Sequence, residues 1–183
     1  QEMESPVNPG RFIVMRRPSN ISTSFALHEA SFLTDDALLI EETKDRCMAL
    51  PSHASLRLWE DSLDALIDER TAMASSISYS TKARLLAGKA LAYSEDPQPL
   101  LAAFVLDQQG AEAITIRSLS GLERYMSWIG NSFLLDIEDH DLLSQHFEWT
   151  HRISGAVPPF ALDYPRAYGI LPDIRNGVRE HLQ

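Results

Sequence analysis

One cysteine in 183 residues removes two architectures at once, because a disulfide needs two thiols and a Cys-rich zinc site needs more. Cys47 sits between Arg46 and Met48 and reads as a small, inert core residue, the usual behaviour of a lone free thiol. Long apolar runs are missing as well. The longest, Leu100 to Leu106, falls far below the roughly 20 residues that cross a bilayer, so no membrane span is expected. Gln1 to Gly10 has neither a basic leader nor an apolar core, which predicts no export signal, a flexible start over residues 1–10 and a cytoplasmic location.

The motifs that announce chemistry are also lacking. There is no G-x-G-x-x-G, no H-E-x-x-H and no G-x-S-x-G. Gly88-Lys89 resembles the end of a phosphate loop only superficially, since Ala90 stands where Ser or Thr is needed and Ala83 where the first glycine belongs. Basic residues are few: 16 Lys and Arg against 26 Asp and Glu give a net charge of -10. Generic nucleic-acid binding rests on many Lys and Arg contacts to phosphate, so that class is disfavoured. Arg11, Arg16 and Arg17 form the most basic spot and are the only footing for it.

What is present is a globular composition, 44% hydrophobic and 23% charged, which fits one domain over residues 1–183. The most regular stretch is Ser52 to Ile77. Leu56, Trp59, Leu63, Leu66, Ile67, the Arg70 stem, Met73 and Ile77 recur at steps of three and four, the stripe of an amphipathic helix. Its other side carries Glu60, Asp61, Asp64, Asp68 and Glu69. The spacing also predicts helices over Ala37–Met48, stopped by Pro51, over the Ala-rich Thr81–Tyr93, and from Pro97 through the apolar Leu100–Leu106 to a stop at Gly110, the last expected to be the most buried. A hairpin of Phe25–Phe32 with Leu38–Thr43 is the alternative to the first of these. The pattern from Trp59 through Lys89 resembles helical segments of bacterial accessory proteins without an assigned activity.

Further helices are predicted after Ser120, where S-x-x-E forms a capping box with Glu123 and Leu122, Tyr125, Met126, Ile129 and Phe133 share a face; over Asp136–Ile153; and over Asp173–Leu182. Arg11–Arg17 and Ala111–Arg117 read as strands that could pair in a minor sheet. Residues 155–172, with four prolines among Phe160, Tyr164 and Tyr168, read as an extended strap. The expected fold is therefore mainly α: a helical bundle of about six helices with a minor β element and a Pro/aromatic C-terminal strap.

Two functional readings follow. The first is an acidic protein-binding module, an adaptor, inhibitor or immunity-type protein without cofactor. Its basic partner would meet Glu60, Asp61, Asp64, Asp68 and Glu69, with Tyr164, Arg166 and Tyr168 as aromatic and Arg contacts. Between Arg124 and Arg152 there is no basic residue at all, while Asp136, Glu138, Asp139, Asp141 and Glu148 lie in that gap. The second is a hydrolase or oxidase that uses a divalent metal. Glu148 and His151 stand three apart on one helix face, as in one half of a di-iron carboxylate site, but no second such pair exists. His140 points the same way as His151, yet eleven residues place it roughly 16 Å away.

Overall fold

The computed structural model describes residues 20–28, 30–35, 37–59, 62, 65–66, 73–74, 82–88, 91–106, 111–133 and 138–182, together with the backbone of 11–15; residues 59, 73, 74, 82 and 83 are also described by backbone alone. The chain is mixed α/β rather than a helical bundle. Eleven strands in three sheets accompany four continuous helices among the described residues, which overturns the expected fold class.

The first sheet has five strands. β1 (Arg11–Met15), β2 (Ala37–Glu42), β3 (Cys47–Leu50), β7 (Gln98–Pro99) and β10 (Ser132–Phe133) are ordered β10-β1-β2-β3-β7. Residues 37–48, expected as a helix, instead form the β2–β3 hairpin, with Ile40 opposite Ala49 and Glu42 opposite Cys47. The turn explains the outcome. Thr43 N–H and hydroxyl both donate to the Arg46 carbonyl, at 2.9 and 2.7 Å, and the Arg46 N–H donates back to the Thr43 hydroxyl at 3.2 Å. A short polar side chain that bonds its own turn competes with helix in this way. The hairpin alternative named the wrong partner, because residues 20–28 are helix α1 (Asn20–His28).

The second correction concerns Ser52–Ile77. Ser55–Trp59 is a strand, β4, fully paired antiparallel with β6 (Lys82–Leu86), and β5 (Met73–Ala74) adds to the other edge of β6. Ser62, Ala65 and Leu66 have helical backbone, so the stretch divides between strand and helix. The local signal was period two: Leu56 and Leu58 are buried, while Arg57 between them is exposed. The Ala-rich helix expected over Thr81–Tyr93 is likewise absent, since Lys82–Leu86 is strand and bridges join Gly88 to Leu91 and Phe32 to Tyr93. The helical resemblance of Trp59–Lys89 ends with these pairings.

The third sheet takes the segment expected to be the most buried helix. Ala103–Leu106 is strand β8, half-buried, and Leu101 just before it is 69% exposed. The strap is not a strap. Pro159–Asp163 is β11, the central strand between β8, to which it is parallel, and antiparallel β9 (Thr115–Ser118). A proline at the first residue of a strand is tolerated there, and Pro165 lies beyond its end. The expected strand near Ala111–Arg117 is present as β9, paired with β11 and not with β1.

Helices cover these sheets. α2 (Gly121–Asn131) and α3 (His140–Ala156) pack on each other and place Trp128, Trp149, Ile153 and Val157 against Ile40 and Cys47 of the first sheet. α4 (Leu171–Glu180) opens with Pro172 in its first turn and packs on α1, joining Ile174 and Val178 to Ile21, Leu162 and Tyr164. Leu56, Leu58 and Leu85 of the β4–β6 pair close over Ala26, Phe32 and Leu91. No described helix is long and apolar enough to cross a membrane.

Candidate functional site

The α2–α3 pair is where the sequence pattern and the burial part company. The helical stripe is present from Leu122 through Tyr125 and Met126 to Ile129, while Phe133 falls in β10, and α2 turns Trp128 inward as its one buried residue. Trp128 lies off that stripe, so α2 has two apolar faces and the core accepts only one. Leu122 is left 73% exposed, Met126 52% and Phe133 44%; on α3, Phe147 is 42% exposed beside the fully buried Trp149. Four large apolar side chains on one helix pair and its adjoining strand make an unusual surface for a chain this acidic.

Local bonds hold this surface. Ser120 precedes α2 but makes no side-chain cap; Glu123 keeps its half of the capping box by accepting from the Ser120 backbone and also forms a two-pronged pair with Arg117 at 2.8 and 3.3 Å. That guanidinium, by hydrogen bond and charge, holds the Glu123 carboxyl below the usual carboxylate range. Gly121 takes a φ of +52°, the left-handed turn from which α2 starts. α3 begins at His140, later than the expected Asp136, because Asp139 caps it: its Oδ1 accepts the N–H groups of Asp141 and Leu142 at 2.9 and 3.0 Å. His146 faces inward. Its Nε2 meets the Ser132 hydroxyl at 2.9 Å, and burial lowers its pKa from the ordinary histidine value.

Between the helices, the Tyr125 hydroxyl donates to the Phe147 carbonyl at 3.4 Å and its ring meets the His151 ring edge-on at 6.0 Å. Beside them lies an open cleft of about 530 Å³ lined by Tyr125, Phe147, Glu148, His151 and Arg152. Arg152, in the cleft wall, meets the Glu42 carboxylate at 3.1 Å. Glu148 has no cationic partner among the described residues, so the cleft presents an unbalanced negative charge between aromatic walls.

No family model matches the chain. Neither curated proteins nor solved structures give a match. The site is therefore argued from its own chemistry.

Glu148 and His151, read from the sequence as metal ligands, do share this cleft, while His140 is the exposed first residue of α3 and does not line it. No group of three or more His, Cys, Asp or Glu side chains converges as a metal site would require among the described residues. Glu60, Asp61, Asp64, Asp68 and Glu69 lie outside the described residues, as do Arg16 and Arg17. In the tail, Tyr164 is buried in the core beneath the Arg166 guanidinium, 4.2 Å from its centroid. Arg166 is exposed and also meets Asp163 at 3.3 Å. Tyr168 is half-buried with its hydroxyl 3.2 Å from the Ser62 hydroxyl. These aromatics serve the packing of α4, and the exposed apolar surface lies on α2 and α3 instead. The sequence signal for that was Trp128, an indole off the apolar stripe of an otherwise one-sided helix.

Proposed function

We propose that the protein is a binding module whose α2–α3 face takes a basic, amphipathic segment of a partner protein. The observation that carries the reading is the cleft in which the Phe147 and Tyr125 rings flank Glu148, a carboxylate without a cationic partner among the described residues, on a helix pair that also leaves Leu122 and Met126 exposed. Apolar side chains of the partner would cover Leu122, Met126 and Phe147, and a Lys or Arg would meet Glu148. Aromatic and Met side chains at the centre with charge at the rim are the usual anatomy of such a surface. The run of carboxylates from Glu138 to Glu148, uninterrupted by any basic residue, supports the sign of the partner, since complementary charge speeds encounter and rejects wrong partners. This keeps the acidic-module reading and moves its contact surface from residues 60–69 to the α2–α3 face.

The test is fluorescence anisotropy with a labelled amphipathic helical peptide carrying Leu at steps of three and four and Lys elsewhere. Binding is expected to weaken steeply between about 50 and 500 mM salt, as the screening length shortens. Glu148→Lys should weaken it about tenfold and Met126→Asp more, with unchanged circular dichroism. Equal binding by both variants and wild type would sink the reading.

A further inference from the structure

The β4–β6–β5 sheet also has two faces. Leu56, Leu58 and Leu85 fill the inner one. On the other, the antiparallel register sets Arg57 of β4 directly opposite Arg84 of β6. Like charges directly across a strand pair are unfavourable.

A cleft of about 390 Å³ opens on this face, within the range of small-molecule sites, and Thr34, Asp35, Ser52 and His53 form its other walls. Asp35 supplies one carboxylate. Its Oδ2 accepts the Arg57 backbone N–H at 2.8 Å and lies 3.7 Å from Arg57 Nε, and its side chain is almost wholly buried. Arg84 donates through Nε to the Ser55 hydroxyl at 3.0 Å and has no carboxylate partner among the described residues. Ser55 is buried, and because its oxygen accepts from Arg84 its own O–H remains a donor. Among the described lining residues two guanidiniums face one carboxylate, so that lining is positive in a chain of net charge -10.

We infer that this cleft binds an oxyanion group, phosphate or carboxylate, on a small molecule. The terminal N–H groups of Arg84 offer the planar fork that matches such a group, the Ser55 hydroxyl adds a donor, and Arg57, positioned by Asp35, is the second cation. The ligand also relieves the Arg57–Arg84 repulsion. This site is separate in residues from the α2–α3 surface, and either can stand without the other.

The test is thermal unfolding of the whole chain titrated with sodium phosphate and, separately, sodium acetate, with sodium chloride added to hold ionic strength constant. A saturable rise of about 3 to 6 °C is expected at tenfold excess over Kd, by mass action on the folded state. A response to phosphate alone identifies a phosphate group, to acetate alone a carboxylate, and to both an unselective oxyanion site; each supports the proposal. Arg84→Gln should abolish the rise while melting no lower than wild type in chloride, because it removes a like-charge pair. Should Arg84→Gln fail to fold, Ser55→Ala serves instead and should raise the Kd about tenfold. No saturable response to either anion overturns the proposal, and so does an undiminished response in the variant that folds.

Discussion

The indole N–H of Trp128 in α2 donates to the carbonyl of Val157, the residue that caps the end of α3, at 3.3 Å. Both residues are buried. The bond therefore ties the middle of one helix to the end of the other, and it sets the rotation of α2: with the indole inward, Leu122 and Met126 must face outward. Trp128→Phe keeps most of the apolar volume and deletes the donor, leaving a buried carbonyl without it. A loss of about 1–3 kcal/mol is expected, measured by urea unfolding. The same variant should alter peptide binding at the α2–α3 face. A variant with full stability would show that the bond does not hold the helix pair.

The pH dependence of stability should report His146. The Ser132 hydroxyl donates to the Ile129 carbonyl at 3.1 Å, so it accepts from His146, whose Nε2 carries a proton. Burial lowers the folded pKa. The unfolded chain then binds the proton more readily than the folded one. The contribution of the neutral ring is fully present above the unfolded value near 6.5 and is lost as pH falls through that value towards the lower folded one. Melting temperature should drop between about pH 7 and 5, and His146→Gln, which keeps a donor for Ser132, should flatten that drop. Identical pH profiles for wild type and variant would rule His146 out as the source.

These two residues show how far the sequence could be read. Elements whose signal is local and singular were legible: the strand at Arg11–Met15, the helix after Ser120, the helix carrying His146 and the last helix all stand where the pattern put them, within a few residues. Elements with two competing local readings were not. Leu56 and Leu58 alternate as in a strand, yet Leu56 with Trp59, Leu63 and Leu66 also fits a helical stripe, and only pairing with Lys82–Leu86 decides the matter. That partner is some 25 residues away and itself Ala- and Leu-rich, so no local propensity marks it. Tertiary pairing overrides propensity most easily in such short apolar segments. At the candidate site the residue types were readable and the orientation was not. The spacing of Glu148 and His151 marks the cleft, while the exposure of Leu122 and Met126 depends on which of two apolar faces of α2 the core accepts.

The outward position of the stripe has a consequence for stability. Replacing Leu122 or Met126, each more than half exposed, with Lys should change unfolding free energy by no more than about 0.5 kcal/mol, since no buried contact is lost. The same changes should reduce binding of a hydrophobic dye and any self-association seen by light scattering. A loss of several kcal/mol in urea would mean that the stripe is covered by the rest of the chain, and the proposed binding face with it.

Cys47 gives the last prediction. Its thiol is buried in the cluster with Ile40, Trp128 and Trp149, and burial first, then the charge of Glu42 directly across the hairpin, raises its pKa. Thiolate is the reactive form, so at pH 8 the folded protein holds less of it than an unfolded chain does. Labelling with a chromogenic disulfide reagent should be at least about a hundredfold slower in the folded state than in denaturant, with a rate that follows opening of the fold. Trp149→Ala, which empties the space beside it and should cost about 3–5 kcal/mol, should accelerate labelling in proportion to the stability lost. Adding salt should have little effect, because burial is the larger cause and is not screened. Rapid labelling of the stable wild-type protein would place Cys47 at the surface and contradict the packing of β3 against α2 and α3.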